Sequence, residues 1–428
     1  MSLVKERLPL QVGIREGFVI MRLFSFLFLV SLIFPQLVSA QSEEPEMKID
    51  DAMNSMLDRH PFRVWIFRVM PRINLNSGYD SNALYSPSEE IGGDYFMSVA
   101  PGGSFAFRLG KSAFFVLEEN LNFVYYKELD QLRDVYNTTS ARLVTGSRRT
   151  LLTLNGTYFN RKTGVDSEFD VPVQQKVAFG GSNFEVGLGE KMNLNLQFSS
   201  TQLSYDRVED SPEFYSVPPD TRQMNYGTSL DYWVHPRIAA SVGTSLRTFE
   251  FLSRDTTRNS YRIFSGIRVR GAGIGGHMRV GFGQTESGND SSEKLSIFVA
   301  DGSMDFLLRD RTTMSIFLSR SHDVSRFGST NFRLTTEGGI RLSYPLGSRM
   351  FADGSYRLGK NDYGVDSGEE IPNISETYHY LRSGLNFYMF QNLILRGGII
   401  YYRRNSFQFQ DQNRVAYDIG ISYVVTPF

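Results

Sequence analysis

Residues 193–202 read NLNLQFSSTQ. Leu194, Leu196 and Phe198 alternate with Asn193, Asn195, Gln197 and Ser199, so a strand here carries one oily and one wet face. The same period of two runs through TLLTLNGTYFN (150–160), NFRLTTEGGIRLSY (331–344) and the closing RVAYDIGISYVVTPF (414–428). From about residue 67 onward it never yields to a helical period. The 428 residues hold 38 Gly, 34 Phe and 22 Tyr but no Cys, a composition that suits many short strands and excludes disulfides and thiolate chemistry. With 45 Lys+Arg against 46 Asp+Glu the net charge is −1, which argues against a nucleic-acid binder.

The breaks between strands alternate in length. Short polar turns are expected at LGKS (109–112), GSRR (146–149), GEKM (189–192), HPR (235–237), RGAG (270–273), RDR (309–311), LGSR (346–349) and FQN (390–392). Between them lie longer loops such as RKTGVDSEFDVP (161–172), RVEDSPEFYSVPPDT (207–221) and GKNDYGVDSGEEIPN (359–373). One strand on each side of every break gives about 18, with a range of about 16–20, within the size range of outer-membrane barrels. The expected fold is all-β: a transmembrane antiparallel up-and-down barrel over residues 67–428. A soluble lectin or propeller would have shorter strands, of about 5–6 residues, and no such alternation of turn lengths.

The chain ahead of the barrel divides in three. MRLFSFLFLVSLIFPQLVSAQ, from Met21, has a basic start, an apolar core from Leu23 to Leu37 and Val38-Ser39-Ala40 before a cleavage point, so 21–40 reads as a secretory signal peptide rather than a membrane anchor. Residues 1–20 fit no part of a signal and read as an extension from an early start. Residues 41–66 are acidic and polar at first; Met47, Met53, Met56 and Leu57 suit one short helix ended by Pro61. This segment either hangs in the periplasm, the preferred reading, or plugs the barrel.

If apolar residues face lipid, the alternate ones face the lumen. That places Arg247, Arg262, Arg268, Arg270, Arg279, Arg333, Arg341, Arg357, Arg382 and Arg396 inward, with His277 beside them. Inward acids are fewer: Glu118, Glu185, Asp231, Asp301, Asp305, Glu337, Asp353 and Asp418. Two readings stay open. The arginines form a cationic stripe that favours anions, or they pair with the acids and stiffen the wall. No external loop exceeds about 15 residues, which argues against a long constriction loop.

No catalytic site, cofactor or metal is implied. Ser321-His322-Asp323 is contiguous, and neighbouring side chains on a strand point to opposite faces, so these three cannot form a relay. GAGIGG (271–276) has no helix after it to hold a phosphate and reads as a turn leading into a tight strand.

The first barrel strand, MPRINLNSGYDSNALYS (70–86), alternates through Ile73, Leu75 and Ser77 and then meets Asp80, Ser81 and Asn82, which favour an Asx-type turn. Its Pro-then-Gly78-Tyr79-Asp80-Ser81-Asn82 opening resembles the β-barrel porin type 2 family of Gram-negative bacteria. The likeness is specific in that opening and loose over 67–428. It implies an outer-membrane barrel associated with exopolysaccharide loci, with a role in surface-polysaccharide export or assembly; the function expected is a water-filled conduit for an acidic exopolysaccharide. The alternatives are a diffusion porin for small anionic solutes and an adhesive barrel acting through its external loops. The implied partners are outer-membrane lipids and lipopolysaccharide, the barrel-assembly machinery and periplasmic polysaccharide-export proteins, with no nucleic acid. At the other end Tyr423 and Phe428 read as a C-terminal assembly signal. Phe428 is out of phase with the oily face, so the chain is expected to kink after Val425, at Pro427.

Overall fold

A computed structural model describes residues 60–425 apart from 61, 65, 84–92, 111, 148, 164–172, 208–218, 253–255, 287–293, 309–310, 325–329, 366–373, 391 and 407–410. The extension, the signal peptide, residues 41–59 and the expected kink with Phe428 lie outside the described residues.

Nineteen strands follow one another: β1 (Phe62–Val64), β2 (Phe67–Asp80), β3 (Asp94–Leu109), β4 (Ala113–Tyr126), β5 (Asp134–Gly146), β6 (Thr150–Thr163) and β7 (Val173–Gly187). Next come β8 (Met192–Arg207), β9 (Thr221–His235), β10 (Ile238–Phe251), β11 (Thr256–Arg270), β12 (Ile274–Glu286) and β13 (Lys294–Leu307). The last are β14 (Thr313–Val324), β15 (Thr330–Pro345), β16 (Met350–Val365), β17 (Ile374–Phe390), β18 (Leu393–Ser406) and β19 (Gln412–Val424). From β2 to β19 each strand pairs antiparallel with the next, and β19 pairs with β2, so 18 strands close into a barrel with β1 outside the ring. Closure removes the sheet edges that an open sheet of this size would leave.

The alternation dictates the two surfaces. Ile73, Leu75, Tyr95, Phe105, Phe123, Leu196, Ile263, Phe282, Leu318, Leu381 and Ile419 project outward and are exposed, an apolar outer belt of the kind found on membrane barrels. All eight expected short turns fall between consecutive strands at one end of the barrel. The longer connections fall at the other. Two of those loops are shorter than expected, because β6 runs to Thr163 and β16 to Val365. Arg161–Thr163 and Gly359–Val365 lie opposite neighbouring strands there, and ladder pairing overrides their polar, glycine-bearing composition. The first barrel strand likewise begins earlier, at Phe67, and stops at Asp80.

The Gly78–Asn82 motif sits where the ring closes. Gly78 faces β19 so closely that an added Cβ would lie 2.1 Å from the Tyr417 carbonyl oxygen. Tyr79 points outward between the rings of Tyr95 and Tyr417, at 5.0 and 5.6 Å. Asp80, 1 % exposed, accepts from Arg414 of β19 through Nε at 2.9 Å and through Nη2, while the Asn82 amide caps it at 3.2 Å in the expected Asx turn. Ser81 exchanges bonds with Val415: its amide donates to the Val415 carbonyl at 2.9 Å, and the Val415 amide donates to Ser81 Oγ at 2.8 Å. The motif is a seam clasp. Tyr423, at the short-turn end of the same seam, pairs with Ile73.

One part of the ring departs from a simple barrel. β13 and β14 pair only from Leu307↔Thr313 to Ala300↔Arg320. Both strands continue, yet β14 stays on β15 up to Val324↔Phe332 while β13 stays on β12 up to Lys294↔Glu286. The end of β14 instead turns into the lumen, across the inner faces of β13, β12 and β11. His322 Nε2 lies 2.6 Å from Ser260 Oγ, and Arg262 donates to the His322 carbonyl at 2.7 Å. Gly283 makes room, since a Cβ there would lie 2.5 Å from His322 Cε1. It is the end of a strand, rather than a long loop, that turns inward here.

Candidate functional site: an arginine-lined lumen

The ten arginines named from the sequence sit at inward alternate positions, as do His277 and the eight acids. Four of them, Arg247, Arg262, Arg268 and Arg279, line one cavity of about 700 Å³ together with Arg320 and Asp301. Amides and hydroxyls complete its wall: Asn183, Asn195, Gln197, Ser199, Asn225 and Ser245. The polar early strands thus face the cationic later ones. A second cavity of about 530 Å³, nearer the short turns, holds Arg341, Arg357 and Arg382 against Asp305.

Register decides which arginines are paired. Arg247 stands opposite Asn225 and donates to its Oδ1 at 2.9 Å, and Asn225 in turn donates to Ser199 at 3.1 Å, giving one transverse polar row over β8–β10. Arg268 crosses β10, whose inward residues there are the small Ala239 and Ser241, to reach Asp231 at 2.7 Å; Asp231 is 1 % exposed. Arg279 faces Asp301 directly and donates from Nε at 3.0 Å and Nη2 at 2.8 Å, while His277 Nε2 sits 3.0 Å from the same carboxylate oxygen. Arg270 lies over the Trp233 ring at 3.8 Å, a cation–π contact. Arg357 and Glu337 are 3.9 Å apart with 49 % and 25 % of their side chains exposed. So loose a pair adds little. An Arg357→Gln variant will lose less than about 1 kcal/mol of stability, measured as a denaturant midpoint in detergent.

Arg341, Arg382, Arg396 and Arg320 make no hydrogen bond or ion pair with any described residue. The lumen thus holds two kinds of arginine: Arg268, Arg279 and Arg357 are paired, and a second set has no partner among the described residues. Among the acids, Glu185 accepts from Asn183 at 2.9 Å, Asp353 accepts from Asn386, and Glu118 lies 3.9 Å from Arg72. Tyr378 donates to Glu337 at 2.8 Å.

Four features escaped the sequence. Arg320 occupies an outward alternate position, opposite Ala300, yet borders the cavity at the point where the β13–β14 ladder ends. Ala106, Phe114, Val116 and Val144 form a buried apolar patch on the inner wall; AFFV is apolar at every position, so period alone cannot assign its faces. Glu119 points outward and accepts from Thr139 at 2.5 Å. Ser260 and His322 make a serine–histidine pair, but both are buried, at 6 % and 1 % exposed, so the pair fastens the end of β14 rather than meeting a substrate.

Around the long-loop end the inward side chains of Asp80, Thr221, Thr285, Tyr363, Glu376 and Arg404 are also buried.

The molecule is thus a closed 18-strand antiparallel barrel with a cationic interior. No family model matches the chain. No curated protein matches it either. Among solved structures it is similar to OccAB4 of Acinetobacter baumannii (10 % identity, TM-score 0.46, covering 83 % of this chain and 97 % of that one). It is also similar to OpdO of Pseudomonas aeruginosa (12 %, 0.44, 83 % and 97 %). A third likeness is to the FrpB iron transporter of Neisseria meningitidis (13 %, 0.44), of which this chain spans 62 % while 79 % of its own length is covered.

Proposed function

We propose that the chain is an outer-membrane channel that binds and passes anionic solutes, with acidic sugars of an exopolysaccharide as its cargo class. The observation that carries this reading is the 700 Å³ cavity, where five arginines meet one aspartate among amides and hydroxyls. Guanidinium forks hold carboxylates, and amides and hydroxyls match sugar hydroxyls. The exopolysaccharide assignment itself is supported by the family resemblance of the Gly78–Asn82 opening. Directionality would come from periplasmic export partners. The second reading is a diffusion porin for small anions, favoured by the unpaired Arg341 and Arg382 in the second cavity, which a small anion would meet as well as a sugar acid. In planar bilayers, trigalacturonate should block the current of the purified barrel at concentrations where neutral maltotriose does not. Equal block by both sugars would remove the acidic-sugar reading, and block by acetate as strong as by trigalacturonate would favour the porin.

A further inference from the structure

We infer that the split between β13 and β14 is a lateral opening through which an anionic amphiphile in the bilayer places its head group in the arginine-lined cavity. Lipid offers no hydrogen bonds, so a membrane barrel pairs its ladder throughout the apolar belt. Here pairing stops at Ala300↔Arg320, although β13 continues to Lys294 and β14 to Val324. Among the described residues the side of β13 facing β14 carries no ladder beyond that pair. The stop lies inside the belt: Phe282 and Ile263, beside and just above it, are 73 % and 67 % exposed on the outer surface, and Phe298 packs edge-on against Phe282 at 6.3 Å.

Arg320 stands at the fork. Its Nε is buried with no hydrogen-bond partner; a buried guanidinium is costly unless it meets an anion, and no described residue supplies one. Arg320 borders the same cavity as Arg279 and Arg262. An occupant must therefore be anionic at one end, to meet Arg320, and apolar at the other, to lie along Phe282, Phe298 and Ile263. The inward end of β14, fastened at His322 by Ser260 and Arg262, holds the fork apart.

This inference rests on the bilayer location proposed above but not on conduction. The test titrates the detergent-solubilised full barrel with lysophosphatidylglycerol, with lysophosphatidylcholine of the same tail, and with glycerophosphoglycerol, which has the head group and no tail, counting bound molecules by native mass spectrometry. One saturable lysophosphatidylglycerol is expected, at least tenfold tighter than either control. Arg320→Gln should weaken it about tenfold, while Arg396→Gln, remote from the split, should not change it. Equal binding of the tailless head group would overturn lateral entry. So would unsaturable binding of many lysolipids, or an unchanged affinity in Arg320→Gln. A barrel that conducts anions yet fails these tests would sink the inference alone; one that passes them without conducting would sink the channel reading alone.

Discussion

An Asp80→Ala barrel will be less stable than the parent by about 3–5 kcal/mol, seen as a lower unfolding temperature on heated, semi-native gels. Asp80 is 1 % exposed and takes three hydrogen-bond contacts from the Arg414 guanidinium. Removing the carboxylate leaves a largely buried cation at the single place where the first and last ring strands meet. Asp80→Leu combined with Arg414→Leu should recover most of the loss, since a matched apolar pair strands no charge. A double variant as unstable as Asp80→Ala would show that the clasp acts through Ser81 and Asn82 instead.

Converting Arg341, Arg382 and Arg396 together to glutamine will cut anion preference strongly while leaving stability nearly unchanged. None of the three has a partner among the described residues, so their removal strands nothing. Each free charge attracts an anion at 4 Å by about 1 kcal/mol in water-like surroundings, a factor of about five, and screening by salt reduces this. Permeability ratios at low and high salt check the prediction. A paired arginine behaves differently: Arg268→Gln would leave Asp231 buried without its guanidinium, so stability and selectivity would fall together.

Strand alternation and short turns were open to reading because each is local: period two fixes which residues share a face, and a tight turn needs only a few polar residues. The lumen-facing side of Arg247 or Arg341 followed from the same rule. Their partners did not, because register between strands leaves no trace in either strand alone. Arg268 reaches Asp231 across an intervening strand, a contact no local pattern encodes. The inward turn of β14 was hidden for a related reason. His322 alternates with Ser321 as any strand residue would, and only Gly283, some forty residues away, permits its approach. The Gly78–Asn82 motif was visible as a turn, but its work lies on β19.

The central claim is that the interior charge selects anions. It is tested most directly by the reversal potential of the purified barrel in a planar bilayer under a tenfold KCl gradient. A potential of the sign set by chloride is predicted. A potassium-selective sign, or no discrete conductance at all, would contradict it.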